Sequence, residues 1–121
     1  MSQEVKVSPP NSLVLIMDKT AGQIPESMSG QLVASTSSCV AVGTLSEHDG
    51  ATTLRLVSSS DDPIPGDLVY EGFLATPSRE IAICSVALVP FLITPTHGDT
   101  TKIQVWANDN REPDMIVVRV E

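Results

Sequence analysis

Short runs rich in valine, isoleucine and threonine recur along this chain, and proline, glycine, asparagine or aspartate cuts each of them off. β-Branched side chains are stiff at χ1 and pack well on a pleated surface, so this cadence commits the chain to strands. QEVKV (3–7) alternates, with Val5 and Val7 on one face, and Pro9-Pro10-Asn11 breaks it. SLVLIMD (12–18) is apolar on both faces and reads as a central strand. GTLSEHDGATTLRLVSS reads as a hairpin, in which Asp49-Gly50 supplies the positive φ of a tight turn and Leu54 and Leu56 share one face. The polar loop SDDPIPGD (60–67) leads to LVYEGFLAT (68–76), the turn PSRE, then IAICSVAL (81–88) and FLITP (91–95). The turn THGD (96–99) follows, with TKIQVWA (101–107) and DMIVVRVE (114–121) as the last strands. Only PESMSGQLVAS (25–35) has helix character: Pro25 suits a first turn and Glu26 the positive end of a helix dipole. About seven or eight strands at this spacing, with at most one short helix, predict an all-β fold, a two-sheet antiparallel β-sandwich forming a single domain over 1–121.

At 121 residues such a domain needs no disulfide or metal to hold its core. Cys39 and Cys84 sit inside apolar runs and are expected as small buried thiols, reduced rather than bridged. Residues 1–11 carry no long apolar stretch, and SLVLIMD is too short for a signal or a span, so a cytoplasmic setting is expected. The net charge of −8 argues against nucleic acid and against anionic membranes, both of which need a basic face. It suits solubility, or a basic protein partner whose encounter complementary fields would speed.

Few constellations here carry chemistry. On TKIQVWA the apolar face is Thr101, Ile103, Val105 and Ala107, which leaves the lone tryptophan, Trp106, on the polar side with Lys102 and Gln104. Such a tryptophan either covers a loop or anchors a partner. Asn108-Asp109-Asn110 resembles the core of the cadherin calcium-linker motif, but Trp106 stands where that motif has an acid and Arg111-Glu112 replace its single residue before proline. Oxygens of Asn108, Asn110 and Glu112 make an incomplete calcium cage, so turn chemistry is the expectation and no metal or cofactor is. His48 and His97 each lie in a turn beside an aspartate, without a nucleophile-elbow pattern. A small-ligand or metal-binding sandwich with a loop-end site is the alternative function; a pocket with both histidines at one end would favour it, and a zinc site would require that. The acids Asp61, Asp62 and Asp67, with Glu71 nearby, and the acids Asp109, Glu112 and Asp114 form two loop groups. The expected partner-binding residues are Trp106, Asp109, Glu112, Asp114, Asp61 and Asp62.

GQLVASTSSCVAVGTLSEHDGATTLRLVSS followed by GFLATPSREIAICSVALVPFLITPTHGDTTKIQVW is similar, in order and spacing, to the competence protein J family. That family comprises small bacterial β-sandwiches that inhibit a DNA-entry nuclease. The resemblance implies the same sandwich and a non-enzymatic inhibitor or immunity-type role toward a basic nuclease. The stretch after Trp106 is short, which bears on any partner contact made there.

Overall fold

A computed structural model describes residues 2–58 and 64–121. Among these residues there are ten strands: β1 Ser2–Val7, β2 Leu13–Asp18, β3 Val33–Ser35, β4 Cys39–Gly43, β5 Thr52–Ser58, β6 Asp67–Ala75, β7 Glu80–Cys84, β8 Pro90–Pro95, β9 Thr100–Ala107 and β10 Met115–Val120. They form two five-stranded sheets, ordered β1-β5-β10-β9-β6 and β3-β4-β2-β7-β8. The two-sheet sandwich expected from the sequence is therefore what forms. Its neighbouring strands are antiparallel except for β5 and β10, which run parallel. Besides the strands, the described residues form only a 3-10 turn at Pro10–Ser12, at the break marked by the proline pair.

The core lies between the sheets. Val14, Ile16, Val40 and Ile83 enter it from one side and Leu54, Leu74, Ile103 and Ile116 from the other, all fully buried. Each such side chain contributes roughly 1.5–3 kcal/mol of hydrophobic stabilisation, measured against a fully extended unfolded chain. The double-sided run SLVLIMD is explained by a second cluster. Leu15 and Met17 face away from the main core and pack with Cys39, Ala41 and Cys84 on the outside of the second sheet.

That outer cluster corrects one expectation. No helix forms over 25–35. Residues 19–32 instead run irregularly, Met28 packs against the outer cluster, and the chain enters β3 at Val33. Ser29 and Gly30 both take positive φ, which a helix does not allow. Asp18 pins this irregular segment. Its Oδ1 accepts hydrogen bonds from the Thr20 and Ala21 amides (2.9 and 2.8 Å), and its Oδ2 from the amide and hydroxyl of Ser78 (both 2.9 Å). Burial opposes ionisation of the Asp18 carboxyl, but the bonds from Ser78, Thr20 and Ala21 outweigh it and hold the group below the usual carboxylate range.

A second correction concerns the segment over 43–59. Its first half, 44–48, forms no strand, and the strands on either side of the turn do not pair: β4 bonds to β2 and β3, whereas β5 bonds to β1 and β10. The Asp49-Gly50 turn therefore carries the chain from one sheet to the other. Gly50 does take positive φ, and Leu54 and Leu56 do share the buried face, so the local signals were sound and the pairing was not. Hydrophobic alternation sets which face is buried, but it does not say which strand lies alongside.

Candidate binding face at the β6–β9 side of the first sheet

Strand β9 alternates as its sequence requires. Thr101, Ile103, Val105 and Ala107 are buried, and Lys102, Gln104 and Trp106 face outward and are half-buried. Trp106 lies opposite Val117 of β10 on one side and Leu68 of β6 on the other. The Arg119 guanidinium sits 5.0 Å from the centre of the indole ring, a cation–π contact. Arg119 in turn donates to Gln104 Oε1 (3.4 Å), and Gln104 Nε2 donates to Glu71. Trp106 is thus an outward-facing aromatic held at its edge by a polar ladder, with the fully buried Val117 beside it.

Sequence reasoning missed the two apolar neighbours that complete this face. Leu68 is 48% exposed and Phe73 66% exposed, both on β6. Across from them lie Trp106 and Lys102. They were missed because β6 has an irregularity between Leu68 and Tyr70, so simple alternation does not assign one face along LVYEGFLAT. Tyr70 turns inward instead, packing on the core and bonding to the Ser35 side chain.

The acids Asp109, Glu112 and Asp114 lie in the β9–β10 connection at the end of this face, and Asp67 lies opposite Ala107 at the same end. The connection is built by side-chain turn chemistry. Asn108 Oδ1 accepts from the Asp114 and Met115 amides (both 3.1 Å), and Asn108 Nδ2 donates to Asp114 Oδ1 (2.6 Å). Asp109 Oδ2 accepts from the Glu112 and Arg111 amides at 2.8 and 3.0 Å. Those bonds, Glu112's first, hold the Asp109 carboxyl below its ordinary range. Of the oxygens weighed as calcium ligands, that of Asn108 is in this way engaged as a turn acceptor. Asp61 and Asp62 lie outside the described residues.

The two histidines are not brought together. The His48 connection packs beside the acidic loop, through the Leu45 amide to Pro113 O (2.9 Å), at the end where β2 begins against Gly43. The His97 turn bonds to Thr76 at the other end, where β2 finishes against Ile81. A loop-end site needing both is therefore ruled out by topology. Among the described residues, no group of three or more His, Cys, Asp or Glu side chains is placed to hold a metal ion. Cys39 and Cys84 are buried, unbridged and separated by β2, which lies between their strands. Burial pushes the Cys39 thiol up to about 12, aided by Cys84, and the Cys84 thiol up to about 11. Among the described residues no helix is long and apolar enough to cross a membrane.

No protein-family model matches the chain, and no curated protein is significantly similar to it in sequence. Two solved structures share its fold. One is ComJ from Bacillus subtilis, an inhibitor of the DNA degrading activity of NucA, with a TM-score of 0.65 at 8% identity over 98% of this chain and 93% of that one. The other is the product of crocagin biosynthetic gene J, with a TM-score of 0.58 at 11% identity over 98% and 94% of the two chains. The resemblance noted in the sequence thus extends to the whole sandwich, as a likeness of fold.

Proposed function

We propose that this protein is a non-enzymatic binding module that docks a basic protein, a nuclease held inactive being the partner class in view. One observation carries the reading: Trp106 faces outward beside the exposed Leu68, at the end of the sheet that bears Asp67, Asp109, Glu112 and Asp114. An aromatic anchor supplies area to be desolvated, and surrounding carboxylates steer a cationic partner toward it. The role of ComJ as an inhibitor of NucA supports the class of partner.

The test uses the product of the neighbouring reading frame, or a NucA-type nuclease, in a DNA-degradation assay with the purified protein. Inhibition is expected to weaken by about thirtyfold or more in Trp106→Ala, since truncating a central anchor costs roughly 2 kcal/mol of binding. Replacing Asp109 and Glu112 by asparagine and glutamine is expected to slow association and flatten its dependence on salt. Full inhibition by Trp106→Ala, with unchanged association kinetics in the acid variants, would sink the reading.

A further inference from the structure

A two-sheet sandwich has four strand edges, and each exposes unpaired amides and carbonyls to which another chain can add. Three of the four are blunted in this molecule. Strand β3 has only three residues. Strand β8 is bounded by Pro90 and Pro95, and the Gln3 side chain takes its Ile93 carbonyl (2.9 Å). Strand β1 carries the charged residues Glu4 and Lys6 and lies on the same side of the sandwich as β8. Strand β6 is different. It is nine residues long and has neither proline nor lysine; it carries Asp67 and Glu71, and past the bulge between Leu68 and Tyr70 it runs regularly through the exposed Phe73 to Ala75.

The direction of its backbone groups follows from two hydrogen bonds. The Thr76 amide bonds toward β9, to Asp99 O, whereas the Ala75 amide bonds away from it, to Ser37 O (both 2.8 Å). Amides two residues apart on a strand point the same way. The amides and carbonyls of Phe73 and Glu71 therefore point to the free edge, and those of Leu74 and Gly72 to β9. Among the described residues, no hydrogen bond from the Phe73 or Glu71 amide to a loop is present. Nearer the start of β6, at Val69, opens a cleft of about 440 Å³, lined also by Val33, Asn110 and Arg111. It has room for an inward-pointing side chain of an added strand.

We infer that the β6 edge at Glu71–Phe73 accepts an extended segment of a basic partner protein by strand addition. The inference rests on the reading of the chain as a protein-binding module, and it specifies how the partner is held. The occupant is basic because the edge strand itself carries Asp67 and Glu71, and the β9–β10 connection that follows Ala107, the partner of Asp67, carries Asp109, Glu112 and Asp114. A second copy of this chain is disfavoured because each copy carries a charge of −8. Main-chain bonds supply the attachment, and alternate side chains meet Phe73 on one face and the cleft on the other.

The probe is a capped seven-residue peptide alternating lysine and valine, titrated into isotope-labelled protein and followed by amide hydrogen exchange. The expected result is at least tenfold slower exchange at Glu71 and Phe73 at saturation. No such slowing is expected with the same peptide N-methylated at alternate residues, or with an alternating glutamate–valine peptide. Phe73→Pro, which removes an amide not used in pairing to β9, is expected to abolish the effect. Trp106→Ala is expected to retain slowing by the peptide even if nuclease inhibition is lost, so failure of the docking face and failure of strand addition read out separately. Equal slowing by the N-methylated peptide, protection only at other amides, or concentration-dependent protection without peptide would each overturn the inference. The N-methylated control needs no variant, so the test stands even if Phe73→Pro misfolds.

Discussion

Replacing Asp18 by asparagine probes how the irregular 19–32 segment is held to the second sheet. Asp18 is fully buried and accepts bonds from three backbone amides, those of Thr20, Ala21 and Ser78, and from two hydroxyls. A hydrogen bond to an ionised acceptor contributes about 1.5–3 kcal/mol, and a donor left without one in the interior costs a similar amount. Asparagine keeps one oxygen but turns an NH2 toward donors, so at least one amide loses its acceptor and the others lose the charge. Water reaches the partly exposed donors, which brings the expected loss to about 3 kcal/mol, or roughly a 10 °C fall in Tm for a domain of this size. The pH dependence follows from the sign of the shift. The folded-state carboxyl lies below its ordinary value of 3.8. Its stabilisation is thus fully present above that value and is lost as pH falls through the folded-state pKa. Thermal melts of both proteins from pH 7 to pH 2.5 should show the gap narrowing only below about pH 4. A gap under 2 °C at pH 7, or one that does not change with acid, refutes the assignment of Asp18 as an ionised tether.

Two further outcomes are expected. Native-state labelling with a thiol reagent at pH 8 should be slow for both cysteines, with Cys84, which lines a cavity of about 210 Å³, reacting before the fully buried Cys39; rapid labelling of both contradicts their placement. Gly66→Ala should lower stability by about 1–3 kcal/mol, because Gly66 has φ +95° and an added Cβ would come 2.6 Å from Ala107 O; a melt unchanged from the parent would show that this approach of β6 to β9 is not tight.

Fold class was readable because it depends on local signals. The alternation Thr101, Ile103, Val105, Ala107 and the double-sided SLVLIMD needed only the period of a strand and a decision on burial. Pairing was not readable. β4 and β5 are joined by a turn that suits a hairpin, yet β10, from the far end of the chain, lies against β5. Nothing local separates a turn that returns within a sheet from one that crosses the sandwich. The helix expected over 25–35 failed for a related reason. Its Met28 packs on the cluster of Leu15 and Met17, reached by an irregular path tethered at Asp18 on which Ser29 and Gly30 sit at positive φ. At the site, Trp106 was legible as an outward residue, but Leu68 and Phe73 were hidden by the irregularity in β6, and Arg119 stacks on Trp106 through a strand pairing that no spacing reveals.

The net charge acquires a location once the topology is known. The end of the sandwich next to Trp106 gathers Glu47 and Asp49 from the β4–β5 connection, Asp67 from the start of β6, and Asp109, Glu112 and Asp114 from the β9–β10 connection, with Arg111 as the cation in those segments. Among the described residues the ion pairs lie elsewhere, between Lys19 and Glu80 (3.7 Å) and between Lys102 and both Glu121 and Glu71 (3.7 and 3.9 Å). Exposed pairs of this kind contribute about 0–1 kcal/mol each, so their absence from the acidic end costs the fold little. Mutual repulsion among exposed carboxylates is weak for the same reason, because water screens it. What survives screening is the summed field of a predominantly negative surface acting on an approaching cation. An acidic end left unneutralised beside an outward tryptophan is thus nearly neutral for stability and strongly directional for association. Association with a basic partner should accordingly slow as salt rises, and lose that dependence when Asp109 and Glu112 are neutralised.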